Sequence, residues 1–190
     1  MLAAMSKTVN FTRMDRGTAE DWQIIKQESE ALTPIILENV LELLKGLKDQ
    51  GYAYKIDRYE HSLQTATRAY KDDADEEIIV VALLHDIGDI VAPQNHSELA
   101  AAILRPYISE NSCWLVQHHG LFQGYYYYHF LGLDRNERDK YCNHPAYQAT
   151  IDFCERWDQR SFDPDYESLP LSFFEPMVRR VFLRQPWVRT

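Results

Sequence analysis

The segment EIIVVALLHDIGD, residues 77–89, constrains the fold of this chain more than any other stretch. Seven apolar residues run unbroken from Ile78 to Leu84, and His85 and Asp86 follow at once. A helix that is apolar on every side has no face to offer water, so it belongs at the centre of a core. The acids of DDADEE suit its N-terminal end, and Gly88 closes the other. Two polar side chains are thus delivered to the end of a dry, rigid rod, the kind of support that metal ligands need. An imidazole beside a carboxylate suits iron, zinc or manganese, and the carboxylate can bridge two metals while the imidazole binds one. The dipeptide alone fits equally well a satisfied core histidine followed by a helix cap.

Around this rod the pattern is helical. Residues 19–49 carry apolar positions at three- and four-residue intervals, with Pro34 expected to kink or break them into two helices and Gly51 to end the unit. DRYEHSLQTATRAYK reads as a third helix with Asp57 as its N-cap, and the rod is the fourth. Asn95 followed by Glu98 predicts a capping box that puts His96 in a first helical turn. NSCWLVQHHG predicts a helix, LFQGYYYYHFLGL an irregular aromatic stretch, and NHPAYQATIDFCERWDQ another helix. No period-2 strand stands between turn signals. The expectation is an all-α chain of six to eight helices, with residues 1–15 a loose leader and 16–190 a single compact helical domain.

Composition narrows the partners. A net charge of −9 opposes general binding to nucleic acid, whose phosphates need a basic face. Any anionic substrate must be held by a local charge, and a bound metal is one. No apolar run is long enough for a membrane span, and MLAAMSK does not resemble a secretory signal. Cys113, Cys142 and Cys154 form an odd set without a C-x-x-C pair, which argues against disulfides or a thiolate zinc site and fits a reducing cytoplasm.

The other histidines are His61, His96, His118, His119, His129 and His144. YEHSLQTA, VVALLHDIGD, NHSELAAAIL, VQHHG and ERWDQ, in that order, resemble the HD-domain superfamily of metal-dependent helical proteins, over about residues 52–184. Within it they are most similar to the mixed-valent di-iron oxygenases, which include inositol oxygenase and enzymes that cleave the carbon–phosphorus bond of 1-hydroxyphosphonates. The resemblance implies a compact HD-type helical bundle with His61, His85, a bridging Asp86, His96, His119 and Asp158 as metal ligands. His118 is then a supporting neighbour or lies on the other helical face. The implied cofactors are two irons, Fe(II) and Fe(III), with O2 as co-substrate, and no catalytic residue beyond the ligands is implied.

For the substrate, the family's aminoethylphosphonate-type members place a glutamate that pairs with a primary ammonium where this chain has Tyr54. A trimethylammonium donates no hydrogen bond and is recognised by aromatic faces. Tyr52, Tyr54 and some of Tyr125, Tyr126, Tyr127 and Tyr128 are therefore cage candidates, although a tyrosine run also suits a half-buried loop. Asp89 and Gln123 stand where the family carries substrate-contacting His or Lys residues, so Lys140, Arg135, Arg138 and Arg160 are candidate phosphonate anchors. The expected substrate contacts are Tyr54, Asp89, Gln123, Tyr125 and Lys140. The implied reaction converts [1-hydroxy-2-(trimethylammonio)ethyl]phosphonate to glycine betaine and phosphate, in a cytoplasmic protein whose N-terminal helices serve as a homodimer face or a lid. The rivals are an HD phosphohydrolase acting on a nucleotide or phosphate monoester, a polyol ring-cleaving oxygenase and a non-catalytic HD binding module.

Overall fold

A computed structural model of the protein describes residues 8–184. Among the described residues the regular elements are eight α-helices and short 3-10 turns, with no strand, as expected for an all-α chain. They divide into two compact units, one ending at Asn39 and the other beginning at Val40. No described helix is long and apolar enough to cross a membrane. The three cysteines are free thiols.

Of the expected leader, residues 1–7 lie outside the described residues, and the remainder runs into a 3-10 turn at Met14–Arg16. Helix α1 (Ala19–Glu30) opens on a capping box in which Thr18 Oγ1 accepts the Asp21 N–H at 3.2 Å and the Asp21 carboxylate accepts the Thr18 N–H at 2.9 Å. Helix α2 (Thr33–Lys45) carries Pro34 as its second residue. The break expected at Pro34 falls just before it, because a proline is tolerated in a first turn, where its missing N–H has no helical partner to lose.

The second unit is built around the apolar rod. Helix α3 (Arg58–Lys71) starts at Asp57, which accepts the Glu60 N–H at 2.7 Å. Helix α4 (Glu76–Leu84) starts at Asp75, which accepts the Ile78 N–H at 2.9 Å. Its residues from Ile79 to Leu84 are at most 4% exposed. Helices α5 (His96–Leu104), α6 (Glu110–Tyr127), α7 (Tyr147–Arg156) and α8 (Leu171–Phe182) follow. Helix α4 packs against α3, α6 and α8, which is why no side of it is polar. Glu77 in its first turn accepts the Ser109 N–H (2.9 Å) and the Ser112 hydroxyl (2.7 Å) and pairs with Arg184, so one carboxylate ties the start of α6 to the end of α8.

Three local expectations change. Asn95 precedes α5 but its side chain makes no cap bond; a 3-10 turn at Pro93–Asn95 leads into the helix, with His96 as its first residue. Helix α6 does not stop at Gly120 but absorbs LFQGYYY, since Phe122 is fully buried where α6 packs on α5 and α7. Helix α8 is not among the helices read from the sequence; it contains Pro176, and burial of Leu171, Phe174, Val178, Val181 and Phe182 outweighs the lost hydrogen bond.

Candidate metal centre

The ends of α3, α4 and α5, the middle of α6 and the turn after α7 meet below the C-terminus of α4. His61 lies one turn into α3, His85 caps the end of α4, and Asp86 follows in the turn. His96 opens α5, His119 lies mid-way along α6, and Asp158 sits in the 3-10 turn Asp158–Arg160 after α7. All are buried except His96, which is partly exposed.

The rings are held alike. Nδ1 lies 2.7 Å from the Ser161 carbonyl in His61, 2.8 Å from Ala82 in His85, 3.0 Å from Pro93 in His96 and 2.7 Å from Val116 in His119. A carbonyl only accepts, so each Nδ1 carries a hydrogen and each neutral ring is left with its lone pair on Nε2. Yet those lone pairs face one another, 3.3 Å apart between His61 and His85 and 3.3 Å apart between His96 and His119. Two acceptors at that distance need a proton or a cation between them.

Asp86 joins the two pairs. Its Oδ2 lies 3.3 Å from His61 Nε2 and 3.2 Å from His85 Nε2, and its Oδ1 lies 3.4 Å from His96 Nε2 and 3.2 Å from His119 Nε2. Asp158 Oδ1 adds to the first pair, 3.2 Å from His61 Nε2 and 3.7 Å from His85 Nε2, while its buried Oδ2 has no hydrogen-bond partner. Neighbouring ligands on an ion with bonds of about 2.1 Å stand roughly 3.0–3.4 Å apart. The ligand atoms form three overlapping groups that could each hold a metal ion, His61–His85–Asp86, His85–His119–Asp158 and Asp86–His96–His119, so the residues fit one metal on the His61 side, with Asp158 beside it, and a second on the His96 side.

Two glycines let the parts close. A Cβ on Gly88 would lie 2.2 Å from the His96 carbonyl oxygen, so glycine there allows α5 to start against the turn after α4. A Cβ on Gly120 would lie 2.9 Å from Ser97 Oγ and 3.7 Å from His96 Nε2, and its absence leaves the second position open to a cleft of about 470 Å³.

Without metal the cluster holds protons. Burial pulls His85 down, but Asp86 and Asp158 beside it prevail and raise it to about 10. Asp86 sits well below the usual carboxylate range despite burial, chiefly because of Arg58 and His85. Asp158 is also lowered against burial, by His61 and His85, whereas His119 is lowered mainly by burial. At pH 7 a metal must therefore displace the His85 proton. Affinity is expected to rise with pH toward about 10, by up to about tenfold per unit for one proton. Calorimetric metal titrations in two buffers of different ionisation enthalpy should report that proton; identical heats would show a nitrogen already free.

The cleft is walled by Tyr52, Tyr54, Gln123, Tyr126, Tyr127 and Phe162. Phe162 stacks on His61 (centroids 4.4 Å) and carries Tyr54 (4.6 Å). Tyr52 and Ala53 hold the left-handed backbone, φ 45 and 68, that non-glycine residues rarely adopt, in the turn that brings Tyr52 and Tyr54 to the mouth.

Of the expected substrate contacts, Tyr54, Asp89 and Gln123 line the cleft, and Tyr125 and Lys140 do not. Because α6 continues to Tyr127, its period places Gln123, Tyr126 and Tyr127 on the face of His119 and turns Tyr125 away, where Arg135 (4.0 Å) and Arg138 (3.8 Å) stack on its ring. Lys140 is exposed and pairs with Glu137 at 2.5 Å. Neither Arg135, Arg138 nor Arg160 lines the cleft. His118 points away from the centre and stacks on Trp114 (4.1 Å), whose ring also stacks with His144 (4.0 Å). Asp89 is already paired, 2.8 Å from Arg58 Nε and 3.2 Å from His96 Nδ1. Arg58 was absent from the candidates read in the sequence; its place three residues before His61, on one helix face, was the available signal.

Residues 58–144 match the family model of the HD domain. The matched HD segment holds His61, His85, Asp86, His96 and His119 and ends before Asp158, which the fold returns to His61. Comparison with curated proteins gave no match. HD domains bind divalent metals and are typically metal-dependent hydrolases or related enzymes; the buried His and Asp groups of this HD segment are compatible with such a site.

Proposed function

We propose that this protein is an O2-dependent di-iron oxygenase that cleaves the C–P bond of a 1-hydroxyphosphonate, with [1-hydroxy-2-(trimethylammonio)ethyl]phosphonate as substrate and glycine betaine and phosphate as products. The observation that carries the reading is the second imidazole pair. A single hydrolytic metal would be served by His61, His85, Asp86 and Asp158, and would leave unused the group Asp86–His96–His119, whose two imidazole Nε2 atoms stand 3.3 Å apart. Iron at the two positions would supply O2 activation and Lewis-acid attraction for an anionic oxygen.

The chain's own residues support the substrate. Tyr54, Tyr126, Tyr127 and Phe162 offer aromatic faces to a quaternary ammonium, each worth about 0.5–2 kcal/mol according to desolvation. Asp89 does not serve the cationic end, because Arg58 and His96 already claim it. Gln123 sets an amide on the face of His119.

The test follows dissolved O2 and released phosphate together in anaerobically iron-loaded protein. One-to-one O2 uptake and phosphate release, strongest with the trimethylated compound and weak with its primary-amine analogue, is the expected result. Phosphate release from a phosphate monoester without O2 would replace this reading with the hydrolase. Tyr54→Glu is expected to shift preference toward the primary amine by about tenfold, since one aromatic face is exchanged for an ion pair. An unaltered ratio of kcat/KM values would remove Tyr54 from the recognition of the ammonium.

A further inference from the structure

An anionic substrate entering this cleft meets three carboxylates, Asp86, Asp89 and Asp158, and a single guanidinium. Among the described residues Arg58 is the only Lys or Arg that lines it. Its side chain is 11% exposed, and two contacts fix it: Nε donates to Asp89 Oδ2 at 2.8 Å, and Nη2 donates to Asp86 Oδ2. A guanidinium has five N–H donors, so three remain, two of them on Nη1, which bonds to no described residue. We propose that Arg58 is the protein's anchor for the phosphonate group, and that Asp89 is the positioning residue that holds it there. The inference rests on the reading that the cleft takes a phosphonate.

The geometry makes the assignment specific. Asp89 accepts from Arg58 with Oδ2, and its Oδ1 lies 3.2 Å from His96 Nδ1, so one carboxylate orients the guanidinium beside a ring of the second metal position. An oxygen held by Arg58 is therefore held in register with the centre. Because Nε and Nη2 are already clamped, little side-chain freedom remains to be lost when Nη1 takes an anion, which favours binding. The apparent paradox of an acid in an anion site also resolves: Asp89 is neutralised by the residue it orients.

The test uses full-length protein loaded anaerobically with iron, and calorimetry with two unreactive probes, methylphosphonate for the anionic end and tetramethylammonium for the cationic end. Arg58→Gln is expected to weaken methylphosphonate at least about tenfold while leaving tetramethylammonium within about twofold, at unchanged iron content. Arg58→Lys should recover part of the loss, and Asp89→Asn should weaken methylphosphonate with less effect than Arg58→Gln. Unchanged methylphosphonate affinity in Arg58→Gln would overturn the proposal, as would equal losses for both probes. If Arg58→Gln fails to hold iron, Arg58→Lys is compared at matched iron content, and wild-type affinity there would overturn it. Failure of both variants to load would assign Arg58 to metal retention instead. Methylphosphonate binding that depends on Arg58, without O2-dependent turnover of the hydroxylated substrate, would leave this assignment standing and remove the oxygenase reading.

Discussion

Asp86→Asn is expected to empty both metal positions together. Among the described residues no other side chain touches all four imidazoles: Oδ2 serves the His61–His85 pair and Oδ1 the His96–His119 pair, each at 3.2–3.4 Å. An amide keeps the volume but replaces one acceptor oxygen by an N–H that points at a lone pair, so one pair must lose its bridge and the other its negative charge. The same change strips the buried Arg58 and His85 of a counter-ion, and breaking a buried pair costs about 3–5 kcal/mol. The measurement is iron per chain by elemental analysis, with thermal unfolding of the metal-free protein beside it. Two irons per chain in Asp86→Asn would sink the bridging assignment, whatever the unfolding showed.

Gly88→Ala is expected to remove the second position alone. The added methyl would sit 2.2 Å from a backbone oxygen of His96, and no side-chain rotation can relieve that contact. The start of α5 must move, carrying His96 away from His119 and Asp86, while His61, His85 and Asp158 stand on other elements. Overpacking of this kind costs about 1–3 kcal/mol. On the di-iron oxygenase reading proposed above, metal content should fall from two to one per chain, and O2-coupled phosphate release should be lost. His96→Ala gives the control, with the same single metal and the same lost turnover but no backbone displacement. Two metals and normal unfolding in Gly88→Ala would show that the turn after α4 yields, and would remove its role in setting the centre.

The two substitutions separate what is local from what is not. The apolar run of α4, the Asp57 cap, the acidic start of α4 and the all-α class were legible because each depends on neighbours in sequence, where period and capping chemistry act. The tyrosines were less so. Their reading as an irregular stretch hid the helical period of α6, and with it the division between Tyr126 and Tyr127 in the cleft and Tyr125 against two arginines. Burial of Phe122 decided that helix, and burial depends on partners distant in the chain.

Arg58 and Asp89 show the same limit in polar form. Each is an ordinary charged residue in sequence, and only the approach of α3 to the turn after α4 makes them a buried pair across the mouth of the centre. By itself the amino-acid order determined that His85 and Asp86 would stand at the end of a dry rod and His61 and His96 near helix starts, since hydrophobic period and helix termini are local properties, whereas His119 came to lie mid-helix. Only the tertiary structure decided that they gather in overlapping groups around Asp86, that Asp158 joins them, and that Arg58 is the one Lys or Arg among the described residues that lines the cleft. Those facts are distances between segments far apart in the chain, and packing of the whole core sets them.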